Sequence, residues 1–143
     1  MKKLIKDLKK ALKNEKIPGL EAVYLYGSLV RGIVRKDSDI DIAILPAPNL
    51  NKEKVLILIS HVEDIISRTL FKDGIKIDIS ILNMADKFAS ILLLFSIISQ
   101  GILIYEAKSL RQYRIEFQNM IIREYHDFAP YYLNELKKRY EYA

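Results

Sequence analysis

The chain has 143 residues, half of them hydrophobic, which fits one domain with a core of its own. Its formal net charge of +5 is spread as lysine along the chain, densest in KKLIKDLKK, and suits a solvated helix face more than a nucleic-acid groove. The absence of cysteine excludes a disulfide framework and a thiolate metal site, and a charged start without an apolar signal core leads us to expect a cytoplasmic protein with no direct nucleic-acid partner.

Leu4, Ile5, Leu8 and Leu12 recur at helical spacing and predict a helix over residues 2–15, ended by Ile17-Pro18-Gly19. Residues 21–26 read as a strand, Gly27-Ser28 as a turn, and 29–34 as a short helical turn. Residues 39–45 alternate acid and apolar before running fully apolar, the pattern of a second strand. After the loop Pro46-Ala47-Pro48-Asn49, the spacing of Val55, Leu58, Ile59, Val62, Ile65 and Ile66 predicts a helix over 51–70.

Residues 76–82 give a third strand, 84–100 a largely buried helix with Asn83 as its cap, and 102–106 a fourth strand. Residues 88–105 carry no charge, but Ser90, Ser96, Ser99, Gln100 and Gly101 interrupt them, which favours helix, glycine stop and strand over a membrane span. From Ser109 onward the chain reads as helix, with Pro130 expected to kink or restart it. The order α-β-β-α-β-α-β-α predicts a single α/β domain over 1–143 and leaves the sheet topology open.

The chemistry concentrates in YLYGSLVRGIVRKDSDIDIAI, residues 24–44. Residues two apart on a strand share a face, so Asp39 and Asp41 point together while Ile40 and Ile42 turn to the core. Two carboxylates about 7 Å apart repel unless a cation joins them, and hard oxygen donors so arranged suit Mg²⁺. Asp78, in KIDISIL, sits in the same alternation. If its strand neighbours 39–45, three carboxylates converge and can hold two metals about 4 Å apart, the arrangement for in-line phosphoryl displacement. Asp78 is then the candidate base or second-metal ligand. Gly27 lets the backbone approach a phosphate, and the Ser28 hydroxyl with the following N–H groups completes an anion cradle. Arg31, one helical turn from Gly27, is better placed than Arg35 to neutralise phosphate charge. Neither a P-loop nor a dinucleotide-binding glycine motif is present.

GSLVRGIVRKDSDID resembles the GSx10DxD signature of the DNA polymerase β-like nucleotidyltransferases. The flanks SLVRG and SDIDIAIL are similar to the minimal nucleotidyltransferase (MNT) subgroup. The tail RIEFQNMIIREYHDFAPYYLNELKKRY is similar to the end of the MntA family of adenylyltransferase antitoxins, which act in HEPN/MNT toxin–antitoxin systems. The resemblance implies a mixed sheet of about four strands flanked by helices, with Mg²⁺ and ATP as cofactors. It also implies a HEPN-domain RNase toxin as partner, silenced by AMP on a tyrosine. By position, Gly27 and Ser28 would hold the triphosphate, Asp39 and Asp41 would bind Mg²⁺, and Asp78 matches the third acid.

The remaining residues are plainer. His61 and His126 lack metal-ligand spacing, and Arg123 with His126 stand too close for the HEPN RNase motif. In the tyrosine-rich segment 109–143, residues 110–121 suit packing on the chain's own domain and partner contact equally, whereas beyond Pro130 partner contact is favoured. Two other readings stand beside the antitoxin enzyme: transfer to RNA ends or a small molecule, and a non-catalytic antitoxin that acts by binding alone.

Overall fold

A computed structural model describes residues 2–27, 40–70, 76–82 and 87–141. Its elements follow the expected order: α1 (Lys2–Lys13), β1 (Leu20–Tyr26), β2 (Ile40–Pro46), α2 (Lys52–Leu70), β3 (Ile77–Ile81), α3 (Lys87–Gln100), β4 (Ile102–Glu106) and α4 (Arg111–Glu141). The strands form one mixed sheet in the order β3-β2-β1-β4. β1 runs antiparallel to β2 and to β4, whereas β2 and β3 are parallel. A parallel pair needs a crossover, and the 19-residue α2 supplies it.

Strand alternation sorts the core into two layers. Ile40, Ile42 and Ile44 of β2, with Val23 and Leu25 of β1, face α1 and α2, where Leu8, Leu12, Leu58, Val62 and Ile66 meet them. Ala22, Tyr24, Ala43 and Leu45 face the other way, onto Ile91, Leu94 and Ile97 of α3 and Phe117 and Ile121 of α4. Asn51 caps α2, accepting from the Lys54 backbone N–H at 2.8 Å. No described helix is long and apolar enough to cross a membrane. The expected helical turn over 29–34 and the Asn83 cap lie outside the described residues.

Of the two outcomes expected at Pro130, a restart does not occur: α4 continues through it as one 31-residue helix. Pro130 lacks the N–H that would bond the His126 carbonyl, so the helix passes it one bond short. The preceding turns explain how that is tolerated. Phe117 and Ile121 are buried, and the Tyr125 ring stacks on Phe95 with centroids 3.6 Å apart and planes within 2°. Residues 110–121, which suited partner or core equally by sequence, therefore pack on the chain's own sheet and on α3.

One buried group has no counterpart in the sequence reading. Glu21, beside a register shift in β1, has no exposed surface, and neither carboxyl oxygen has a hydrogen-bond partner. Burial, reinforced by Glu106, pushes its carboxyl up to about 7 against the pull of the Arg114 guanidinium. Arg114 is committed elsewhere: its Nε lies 3.2 Å from Glu106 Oε2, while Arg111 Nε holds Glu106 Oε1 at 2.7 Å. A carboxyl whose folded value is raised stabilises the fold below its unfolded value near 4.5 and loses that contribution as pH rises through about 7. At about 1.4 kcal/mol per pH unit, the span is worth roughly 3 kcal/mol. The thermal midpoint should therefore fall between pH 5 and pH 8, and Glu21→Gln should flatten that slope. An equal slope in both proteins would assign the effect to other groups.

Candidate active site

Of the predicted acids, Asp41 and Asp78 lie where β2 and β3 begin, beside the end of β1. Asp41 pairs in register with Tyr26 on one side and with Asp78 on the other. Three adjacent strands thus bring Tyr26, Asp41 and Asp78 into one row at spacings of about 4.8 Å. Asp41 is half-buried and Asp78 exposed, while Ile40 and Ile42 are buried on the opposite face and fix the strand. The expectation that the Asp78 strand neighbours the Asp41 strand is met, with the acids directly opposite each other.

Gly27 closes the corner. Its φ of 84° lies in the left-handed region. A Cβ there would overlap Asp41 Oδ2 and stand 2.9 Å from Asp41 Cγ. Glycine is therefore required twice, by the turn and by the carboxyl lying against its backbone. Ser28, Arg31, Arg35 and Asp39 fall outside the described residues. Among the described residues no three His, Cys, Asp or Glu side chains gather as a metal cluster, and two of the three predicted acids stand together. Carboxylate oxygens facing a glycine backbone suit a hard divalent cation and the phosphates it accompanies.

Two residues at this corner were not singled out from the sequence. The Tyr26 hydroxyl lies 3.0 Å from Ser80 Oγ, so the Tyr26 ring reaches from β1 across β2 to β3. On the intervening strand the Cα partner of Ser80 is the buried, small Ala43. Burial pushes the Tyr26 hydroxyl up; the bond to Ser80 pulls the other way, and the nearby Asp41 and Asp78 push it up further. The signal was present in the alternation, since Tyr26 precedes Gly27 and Ser80 follows Asp78 by two. The partnership itself depends on strand order.

A groove of about 580 Å³ lies at the opposite end of β2, lined by Pro46, Leu50, Val55, Leu82 and Phe117 among others, and includes neither acid. His61 is half-buried on α2, with Nε2 3.9 Å from Glu15 Oε2, an ordinary boundary contact.

A mixed four-stranded sheet flanked by helices, with paired aspartates at its strand ends and a left-handed glycine against them, defines a nucleotidyl-transferring fold. Residues 6–110 match the family described as polymerase beta, nucleotidyltransferase, and the chain belongs to that family. Solved structures share the fold along nearly its whole length. A chain of a mutant MntA-HpeT toxin–antitoxin complex is 22% identical, with a TM-score of 0.62, over 94% of this chain and 96% of that one. A chain of a toxin–antitoxin structure with AMP-PNP is 23% identical, with a TM-score of 0.61, over the same shares of 94% and 96%. A third, from a tri-AMPylated Shewanella oneidensis HEPN toxin in complex with its MNT antitoxin, is 21% identical, with a TM-score of 0.59, over 94% of this chain and 97% of that one. No curated protein sequence matches the chain.

Gly27→Ala tests the corner's geometry. A side chain at positive φ costs about 1–2 kcal/mol before any displacement of Asp41. Equilibrium urea unfolding should show at least that loss, and an unchanged midpoint would mean the Asp41 carboxyl does not lie against Gly27.

Proposed function

We propose that the chain is an Mg²⁺-dependent protein adenylyltransferase that transfers AMP from ATP to a tyrosine of a cognate HEPN RNase toxin and so acts as its antitoxin. The observation that carries this reading is the register of Asp41 with Asp78 beside Gly27, at the open end of a nucleotidyltransferase sheet. The choice of acceptor is supported by likeness to structures described as toxin–antitoxin complexes, one with AMP-PNP and one with a tri-AMPylated HEPN toxin.

Asp39 and Asp41 would hold Mg²⁺, with Asp78 as third carboxylate, and the bound ion would supply charge neutralisation at the phosphates. The Gly27 and Ser28 backbone would hold the triphosphate, and Arg31 would offset its charge. The acceptor oxygen attacks the α-phosphorus and forms the new P–O bond. The bond from that phosphorus to the bridging oxygen breaks, and pyrophosphate leaves with the electron pair. Asp78, the exposed member of the pair, would take the acceptor's proton or share a second metal. The part of α4 beyond Tyr125 would meet the toxin: Tyr131 is 66% exposed there.

The test is the intact mass of the HEPN protein encoded beside this gene, after incubation with this chain, Mg²⁺ and ATP. We expect a gain in steps of AMP, abolished by a chelator, restored by added Mg²⁺, and absent with the Asp39→Asn/Asp41→Asn variant. Full transfer by that variant would refute the metal assignment. A tight complex without mass gain would replace catalysis with binding alone, and neither complex nor gain would move the acceptor to RNA or a small molecule.

A further inference from the structure

The hydrogen bond between Tyr26 and Ser80 joins the two outer members of the three-strand row that carries the acids. β1 and β3 do not touch each other in the sheet; β2 lies between them. Tyr26 is the cross-strand partner of Asp41, and Ser80 stands two residues after Asp78 on the same face. The 3.0 Å bond therefore passes behind both carboxylates, on the core side of the corner. Ala43, the buried β2 partner of Ser80, keeps that face of the middle strand small between Tyr26 and Ser80.

Hydroxyl counting adds a second argument. Tyr26 and Ser80 bring two O–H hydrogens, and their mutual bond uses one. One hydroxyl hydrogen remains for a further acceptor. By register, the carboxylates next to these hydroxyls on that face are Asp41 and Asp78, with the Tyr24 hydroxyl in the row of Ala43 and Ser80. An O–H donated to a carboxylate fixes its rotamer and directs its other oxygen outward, as outer-shell partners do in metal sites.

We propose that Tyr26 and Ser80 act together as a positioning brace that holds Asp41 and Asp78 in the orientation that binds a divalent cation. The inference rests on the metal-dependent reading of the site given above. Neither residue touches the reacting atoms; both act through the acids. The brace also ties the end of β1, and so Gly27, to the strand that carries the third acid. The glycine backbone and the acid pair then keep one spacing.

The test uses the full chain and Mn²⁺ alone, with free Mn²⁺ followed by electron paramagnetic resonance. Tyr26→Phe keeps the ring and removes the bond; Ser80→Ala removes it from the other side. Each should weaken Mn²⁺ binding about 10-fold. The double variant should be no weaker than either single one, because both delete the same contact. Ser80→Thr, which restores a hydroxyl, should return the wild-type affinity. Should Tyr26→Phe fail to fold on thermal unfolding, Ser80→Ala and Ser80→Thr carry the test. Binding by the single variants within twofold of wild type overturns the brace, as does strict additivity in the double variant. Asp41→Asn separates the two levels of the argument: if it binds Mn²⁺ as wild type does, the metal reading fails and the brace fails with it. Loss in Asp41→Asn without loss in Tyr26→Phe or Ser80→Ala removes the brace alone.

Discussion

The parallel pairing of β2 with β3 is the constraint on which the rest of the site depends. Ile40 opposite Ile77 sets the register, and Asp41 opposite Asp78 follows one step later. A slip of one residue would turn Asp78 to the α1–α2 face and bring Ile77 or Ile79 beside Asp41. The isoleucines prevent that slip. Ile77, Ile79 and Ile81 pack against the same core layer as Ile40, Ile42 and Ile44, so the register that buries them is the one that pairs the acids. Core and site are thus specified by one alternation read on its two faces.

β1 joins this arrangement from the opposite direction and carries a polar burden at each end. At its end, Gly27 yields space to the Asp41 carboxyl. Near its start, Glu21 is buried with neither oxygen hydrogen-bonded, beside an arginine already engaged by Glu106. Between them Ala22 to Leu25 are buried and Tyr26 is half-buried. Burying an unsatisfied carboxyl opposes folding, and the surrounding aliphatic layers must outweigh it. The Tyr24 hydroxyl has no hydrogen-bond partner either, and burial pushes it up while the neighbouring Arg114 opposes. The contact of β1 with α4 is therefore partly polar and only partly satisfied, unlike the aliphatic layer on the other face.

Much of this was legible from residues alone. The eight elements follow from periodicities that local sequence encodes, and so does the sharing of one face by Asp41 and Ala43. The neighbouring of Asp41 and Asp78 was legible only as a condition, because strand order is a long-range property that no window of residues contains. The burial of Glu21 was invisible for the same reason: an acid near a strand's start reads as solvated until β4 and α4 are placed around it. At Pro130 the sequence left open how the helix would pass the proline. Its local preference against helix interior is real, but the buried Phe117 and Ile121 and the stacked Tyr125 outweigh one missing hydrogen bond. Ser28, Arg31 and Asp39 rest on the sequence pattern, with Gly27, Asp41 and Asp78 located in the fold.

The crossover through α2 has a consequence for the order in which the chain organises itself. β1 and β2 pair antiparallel across residues 27–39, a shorter span than residues 47–76 between β2 and β3. β2 and β3 meet only after the whole of α2 has been traversed, with Asp41 and Asp78 separated by 37 positions (78 − 41). Non-local parallel pairing is the slow kind of contact. The half of the corner made by Gly27 and Asp41 belongs to an early-closing pair, and the half made by Asp78 arrives with the last strand to dock on that side. The row of Tyr26, Asp41 and Asp78 is therefore complete only once β3 has docked on β2.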